Sequence, residues 1–356
     1  GGWLTEFYNW RWVFYINLPF GILSLLGVLA LVDESPIDRE RRFDLFGFLM
    51  LGISIGALQL LLDRGKSLYW FQSKEIIAEA IISGLFFYMF IVHMFTHKRP
   101  FIEPGLFRDQ NFCVGLVLIF FVGVILLATL ALLPPFLQNL MGYSVFDAGL
   151  ILAPRGAGTM FGMIVATRLM GRMDARLIIV LGGLCTSVSL WLMTHFTVDV
   201  SQATITWVGF LQGMGLGYIF VPLSTIAFLT LDPVLRTEGS AIYSLVRNIG
   251  SGIGISVVVT QLADNIQRNH AILSENITPF NHLLDWGVMP QIWNTQTTLG
   301  LTALDGQVLK QAVQLAYLQD FRLIMWMTLI IVPLALMLRN PEGVVISAKP
   351  DNALSE

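Results

Sequence analysis

Charge is what this chain has least of: Asp, Glu, Lys and Arg make up 13% of its 356 residues, where a soluble domain carries about a quarter. That scarcity excludes an ordinary water-facing domain. The 55% of hydrophobic residues and a mean hydropathy of +0.70 offer more apolar surface than one core can bury, so a lipid bilayer is the expected solvent and partner. A net charge of −3 leaves no basic field for nucleic acid, which excludes that partner. Cysteine is scarce too. Cys113 and Cys185 both sit in apolar runs, and two cysteines argue against a disulfide framework. The five histidines (His93, His97, His195, His270, His282) show no metal spacing, so neither metal nor cofactor is expected. There is no initiator Met and no charged leading segment before Gly1. The chain reads as truncated at its N-terminus, with no signal peptide.

Catalytic constellations are missing as well. Gly65-Lys66-Ser67 has the end of a phosphate loop, but Leu60 stands where the first glycine belongs. Gly52-Ile53-Ser54-Ile55-Gly56 spells a nucleophile elbow, yet it lies inside an apolar run with no strand before it. With nothing to support ATP hydrolysis or covalent catalysis, an enzyme is not expected.

What the chain does have is length in its apolar runs. Nine stretches suffice to cross ~30 Å of hydrocarbon as helices: 12–32, 44–62, 76–95, 112–137, 147–169, 177–196, 203–230, 239–262 and 321–338. Helices are expected because spanning backbone must satisfy its own polar groups, and barrel strands would be half as long and alternating. The fold class is an all-α polytopic membrane protein.

Arg39, Arg41, Arg42, Lys98, Arg99, Arg108, Arg168, Arg172, Arg176, Arg236, Arg339 and Lys349 fall on one side. Fewer fall on the other: Arg11, Arg64, Lys66, Lys74, Arg268, Lys310 and Arg322. The positive-inside rule then places the C-terminus in the cytoplasm and Gly1 outside. The connection 263–319 becomes a long outer loop. Within it, Asp305 to Asp320 has the pattern of an amphipathic helix (Val308, Ala312, Leu315), either capping the bundle along the membrane surface or offering a docking face to a periplasmic partner. Asn276-Ile277-Thr278 is formally a glycosylation acceptor of no weight.

Small residues recur every fourth position: Gly209, Gly213 and Gly217, then Gly158 and Gly162, then Gly250 and Gly254. Such spacing lets helix backbones approach closely, for static packing or for sliding surfaces between moving helices. Pro134-Pro135, Pro154 and Pro222 are expected to interrupt spans, as broken helices near transporter cavities do. Two arginines, Arg155 and Arg247, lie within apolar spans, where a charge is costly and therefore a functional candidate. The alternatives are a fixed ion pair or snorkelling to an interface, and snorkelling suits Arg155 better. Gln138, Asn139, Gln212 and Asn248 are candidates to line a substrate path or to bond helices together. No mid-membrane carboxylate stands out, since Asp147, Glu79, Asp63 and Glu238 all sit near span ends.

In order along the chain, several segments resemble the EmrB/QacA branch of the major facilitator superfamily. Trp10-Arg11-Trp12-Val13-Phe14 with Asn17-Leu18-Pro19-Phe20-Gly21 resembles the start of that branch's sixth helix, and Gly1-Gly2-Trp3 the end of its antiporter motif. Leu133-Pro134-Pro135-Phe136-Leu137-Gln138, Gly142-Tyr143-Ser144, Ala148-Gly149-Leu150 and Pro154-Arg155-Gly156 are similar to its ninth and tenth helices. Phe220-Val221-Pro222-Leu223-Ser224, Arg236-Thr237-Glu238-Gly239, Arg247-Asn248-Ile249-Gly250 and the Gln311-to-Phe321 stretch continue the likeness. The resemblance implies the last nine helices of a fourteen-helix drug:proton antiporter in a bacterial inner membrane. Residues 1–32 would end the N-terminal six-helix half, 33–110 would be a two-helix insertion, and 111–356 the C-terminal half. It implies that Gly171-Arg172-Met173-Asp174-Ala175-Arg176 is a shortened loop motif in which Asp174, Arg172 and Arg176 form an inner charge latch. It places the proton-carrying acid upstream. The long outer loop resembles members that hand substrate to a periplasmic adaptor and an outer-membrane channel. The expected activity is rocker-switch export of lipophilic compounds. An exporter of an endogenous metabolite or siderophore, and a non-transporting scaffold or sensor, remain as competitors.

Overall fold

The computed structural model describes residues 2–31, 44–97, 100–275, 277 and 297–339. Arg39, Arg41, Arg42, Lys98, Arg99, Lys349, His282 and most of the Asn276-Ile277-Thr278 triplet lie outside the described residues.

Among the described residues there are α-helices and no strand: α1 Gly2–Phe7, α2 Trp12–Tyr15, α3 Asn17–Leu31, α4 Leu45–Arg64, α5 Lys74–Thr96, α6 Gln110–Pro135, α7 Val145–Met170, α8 Ala175–Met193, α9 Gln202–Leu229, α10 Arg236–Ser274, α11 Thr298–Leu329 and α12 Ile331–Leu336. Nine of the resulting segments are long and apolar enough to span a bilayer, with α2–α3 forming the first and α11–α12 the last. Their starts are written in the sequence. Asp44, Asp109, Ser144, Asp174, Ser201 and Thr297 each accept a backbone N–H from the first turn of α4, α6, α7, α8, α9 and α11. A first turn leaves several N–H groups without an intrahelical partner, and these caps satisfy some of them near the membrane edge.

Two close helix pairs organise the chain from residue 110 onward. α7 packs on α9 through Gly158, Gly162, Gly213 and Gly217, and α6 packs on α10 through Gly123, Gly250 and Gly254. α8 covers the far side of α9, and α11 runs along α10. Between them lies an apolar interior that includes Phe112, Ile119, Ile125, Leu132, Phe136 and Phe321, all fully buried. Outward-facing Leu184, Trp191, Trp207 and Trp326 are exposed, as a lipid-facing surface requires. α4 and α5 form a separate hairpin that touches α10, and α3 buries none of its side chains.

Cross-contacts agree with alternating spans. Lys66, in the turn after α4, pairs with Asp264 in the last third of α10. At the other end, Asn111 and Arg339 bond reciprocally, with Arg339 N donating to Asn111 Oδ1 at 2.7 Å and Asn111 Nδ2 to Arg339 O at 3.0 Å.

The expected outer loop 263–319 needs correction. α10 continues to Ser274 and α11 begins at Thr298. At 1.5 Å per residue their 39 and 32 residues span roughly 58 and 48 Å, well beyond the ~30 Å hydrocarbon layer. The two extensions pack as a hairpin: Asn269 bonds Gln319 and the Ala312 carbonyl, Asn265 bonds Asp320, and His270 bonds Asp305. The 305–320 segment is therefore an upright continuation of the last span, not a cap lying on the membrane. Val308 and Ala312 face inward as expected, whereas Leu315 is exposed.

The prolines also act differently from expectation. Pro154 and Pro222 lie inside the continuous helices α7 and α9. Only Pro134-Pro135 changes the backbone, passing α6 into a π turn over Phe136–Leu140. Pro333, not singled out from sequence, sits in the first turn of α12 just after α11 stops.

Candidate functional site

The most constrained polar group is Arg155, eleven residues into α7. It is 8% exposed, so it is buried within the bundle and does not snorkel. Its Nη2 approaches the Leu126 carbonyl of α6 at 3.5 Å. Its own carbonyl accepts Thr159 Oγ1 at 3.0 Å and lies against Gly213 of α9, where any Cβ would overlap it. Arg155 makes no ion pair among the described residues.

One turn along α6, Thr129 is fully buried and donates to the Ile125 carbonyl at 2.7 Å. Gln212 of α9, also fully buried, donates from Nε2 to Thr129 Oγ1 at 3.2 Å, and its Oε1 has no hydrogen-bond partner. Three helices thus bring a guanidinium, an amide and a hydroxyl to the 125–129 turn of α6. A guanidinium carries five N–H donors, and among the described residues one long bond to a carbonyl answers them. A buried cation without a counter-charge is costly. The arrangement is chemically suited to receive an anion or a strong acceptor.

The other expected path residues are not gathered here. Gln138 is half-buried and Asn139 exposed in the turn after Pro135, about 13 Å along the helix axis from Thr129. Arg247 is half-buried on α10, one turn beyond Tyr243, and its carbonyl lies against Gly123. Asn248 is exposed. Gly209 differs from the other ladder glycines, because its nearest neighbour is Arg155 Cβ at an ordinary 3.9 Å. At the start of α8, Asp174 accepts from the Arg176 amide at 3.0 Å, and Arg176 Nε lies 3.7 Å from Asp174 Oδ2. That contact is local to the start of α8, and Arg172 is exposed.

Residues 1–255 match the Major Facilitator Superfamily. This chain belongs to that superfamily. The multidrug export protein EmrB of Escherichia coli (strain K12) is 31% identical over 283 residues, covering 79% of this chain and 55% of that protein. The fatty acid resistance protein FarB of Neisseria gonorrhoeae is 32% identical over 80% of this chain and 56% of its own. The probable multidrug resistance protein EmrY of Escherichia coli (strain K12) is 26% identical over 91% of this chain and 64% of its own. The chain spans about half the length of the first of these relatives. As a facilitator chain with nine apolar helices, it is a multi-pass membrane protein of a transporter family.

Sequence reasoning passed over three features of this facilitator chain. Thr129 carried no signal, being one hydroxyl in an apolar run. Asp320 is fully buried on α11 and accepts from Asn265 Nδ2 at 3.3 Å. Its signal was periodic: Val308, Ala312, Ala316, Asp320, Ile324 and Thr328 recur every fourth residue, and all are buried. The third feature is spatial. His93 and His97 stand one helical turn apart, and the fold brings Asp44 to them.

Proposed function

We propose that the chain forms part of a secondary exporter of lipophilic compounds, driven by proton antiport through rocker-switch alternating access. The observation that carries this reading is the Arg155–Gln212–Thr129 cluster, buried in an otherwise apolar interior. Its relatives' names point the same way, to multidrug export and to fatty acid resistance. Binding energy for a lipophile comes from apolar area, and the few polar groups set orientation and selectivity. Arg155 favours lipophiles that carry negative charge, such as the carboxylate of a fatty acid. Arg247, on the α10 face against α6, is assigned a gating contact. On this reading the proton-carrying acid lies upstream, the protein sits in the bacterial inner membrane, and the distribution of Lys and Arg supports a cytoplasmic C-terminus. The α10–α11 hairpin would then project into the periplasm, where it offers a face to an adaptor feeding an outer-membrane channel.

The test uses the full-length protein in inverted membrane vesicles with a pH-sensitive dye. Adding fatty acids or unlike lipophilic drugs should release protons relative to a vector control. Arg155→Ala should remove the response to anionic lipophiles, and Arg247→Ala should abolish export while insertion stays normal. Unchanged transport at normal expression in either variant removes that residue from the mechanism. A silent lipophile panel with a response to one polar solute would turn the reading into a metabolite exporter. Silence to both would favour a scaffold or sensor.

A further inference from the structure

The inner end of the α4–α5 hairpin holds a donor set that the transport reading does not use. Asp44 caps α4, and each of its oxygens is held by an amide: Oδ1 accepts from Gly47 N and Oδ2 from Phe101 N, both at 3.0 Å. His93, near the end of α5, places Nε2 at 3.1 Å from Oδ1 and 3.0 Å from Oδ2. One turn on, His97 stacks its ring on that of His93, with centroids 4.7 Å apart and planes 20° apart. Phe46 abuts the His93 ring edge-on at 5.3 Å. One donor atom from each of Asp44, His93 and His97 lies within 4.8 Å of the other two.

We propose that Asp44, His93 and His97 form a binding site for a divalent transition-metal ion of the Zn2+ class. Two imidazoles and one carboxylate make a borderline nitrogen–oxygen donor set, and three protein ligands leave a position for water. Metal–ligand bonds of about 2.1 Å put neighbouring donors roughly 3 to 3.4 Å apart. The His93–Asp44 separation already meets that, so only His97 must draw in, and its exposure leaves it free to turn. The ion takes the place of the proton that His93 shares with Asp44. The outer shell is built as well, because the Gly47 and Phe101 amides fix the carboxylate's orientation. A cavity of about 300 Å³ lined by Phe46, Met50, Tyr88 and Thr96 opens beside His93. An ion there joins the first turn of α4 to the last turn of α5. Through the shared carboxylate it also joins them to residue 101, on the approach to α6.

The test is a Co2+ titration of full-length, tag-free, chelator-stripped protein in detergent, read by the ligand-field absorption of bound Co2+ and by its displacement with Zn2+. One equivalent should bind. His97→Gln and His93→Gln should each weaken binding at least 10- to 100-fold, the loss that even an outer-shell change brings. His270→Gln should change nothing, although His270 Nε2 lies 2.8 Å from Asp305 Oδ1 in the other histidine–carboxylate pair among the described residues. The chelated His97→Gln protein should melt with wild type, which separates ligand loss from misfolding. No Co2+ uptake, uptake unaffected by either hairpin substitution, or uptake lost only in His270→Gln overturns the proposal.

Discussion

Gly209 and Gly213 stand one turn apart on the same helix, in the same small-residue ladder, yet they should respond in opposite directions to alanine. A Cβ on Gly213 would overlap the Arg155 carbonyl oxygen and lie 2.9 Å from Thr159 N. These are backbone atoms of α7, so no rotamer change relieves them. The Thr159 contact alone must open to about 3.5 Å, which forces α7 and α9 apart by more than half an ångström along that stretch. Overpacking of this kind costs about 1–3 kcal/mol, and collision with backbone places Gly213→Ala near the upper figure. On Gly209 the new methyl meets only Arg155 Cβ at 3.9 Å, a normal contact. There the change removes a flexible residue from a helix interior, which is favourable by roughly 0.5–1 kcal/mol. Thermal unfolding in detergent, followed by the loss of the monodisperse peak, should show Gly213→Ala melting on the order of 5 °C lower. Gly209→Ala should match or exceed wild type. Equal shifts for the two variants, or the greater loss at Gly209, would refute the reasoning.

Substitutions at two further places test the polar interior and the α4 cap. Thr129→Val takes away the bond that Gln212 makes, leaving both ends of a buried amide unanswered at a cost of about 1–3 kcal/mol. The double variant Thr129→Val/Gln212→Leu removes the stranded group and should recover most of that loss in a double-mutant cycle, whereas additive costs would contradict the assignment. Asp44→Asn, melted in the presence of chelator, still caps α4 but leaves one oxygen for the Gly47 and Phe101 amides to share. It should cost about 1–2 kcal/mol, with Asp44→Ala costing more and wild-type melting in both counting against the shared carboxylate.

How much of this was legible follows from which signals survive in one dimension. The nine spans are written in hydropathy, because lipid forces each crossing to be apolar for its full length. The glycine ladders are visible as a spacing of four, but their partners are not. Nothing in the sequence near Gly213 says that the Arg155 carbonyl will lie against it. The 263–319 stretch misled for a physical reason: above the membrane, a helix–helix interface can be polar. Asn265, Asn269, Gln319 and Asp320 bond one another across α10 and α11, and they read as loop-like only when each is taken alone. The Asp44–His93–His97 cluster joins residues 49 or more positions apart, apart from the one-turn step between the histidines, so spacing could show a third of it at most.

For the glycines and for Arg155, packing and the polar site meet in one geometry. Without a Cβ, Gly213 lets α9 press against the backbone of α7 at the turn that carries Arg155. From that turn the guanidinium reaches to the Leu126 carbonyl of α6. Gln212, the neighbour of Gly213, comes to the same turn of α6 through Thr129. The ladder therefore sets the depth at which the charge is held. If α7 and α9 move as one rigid pair against α6, the bonds to Leu126 and Thr129 are the ones that break, since both lie on α6. If instead α7 slides on α9, the meshed glycines must ride over backbone carbonyls, which close packing opposes. The first motion is the cheaper. Crosslinking α7 to α9 through paired cysteines should therefore spare transport, and crosslinking α9 to α6 near Thr129 should stop it.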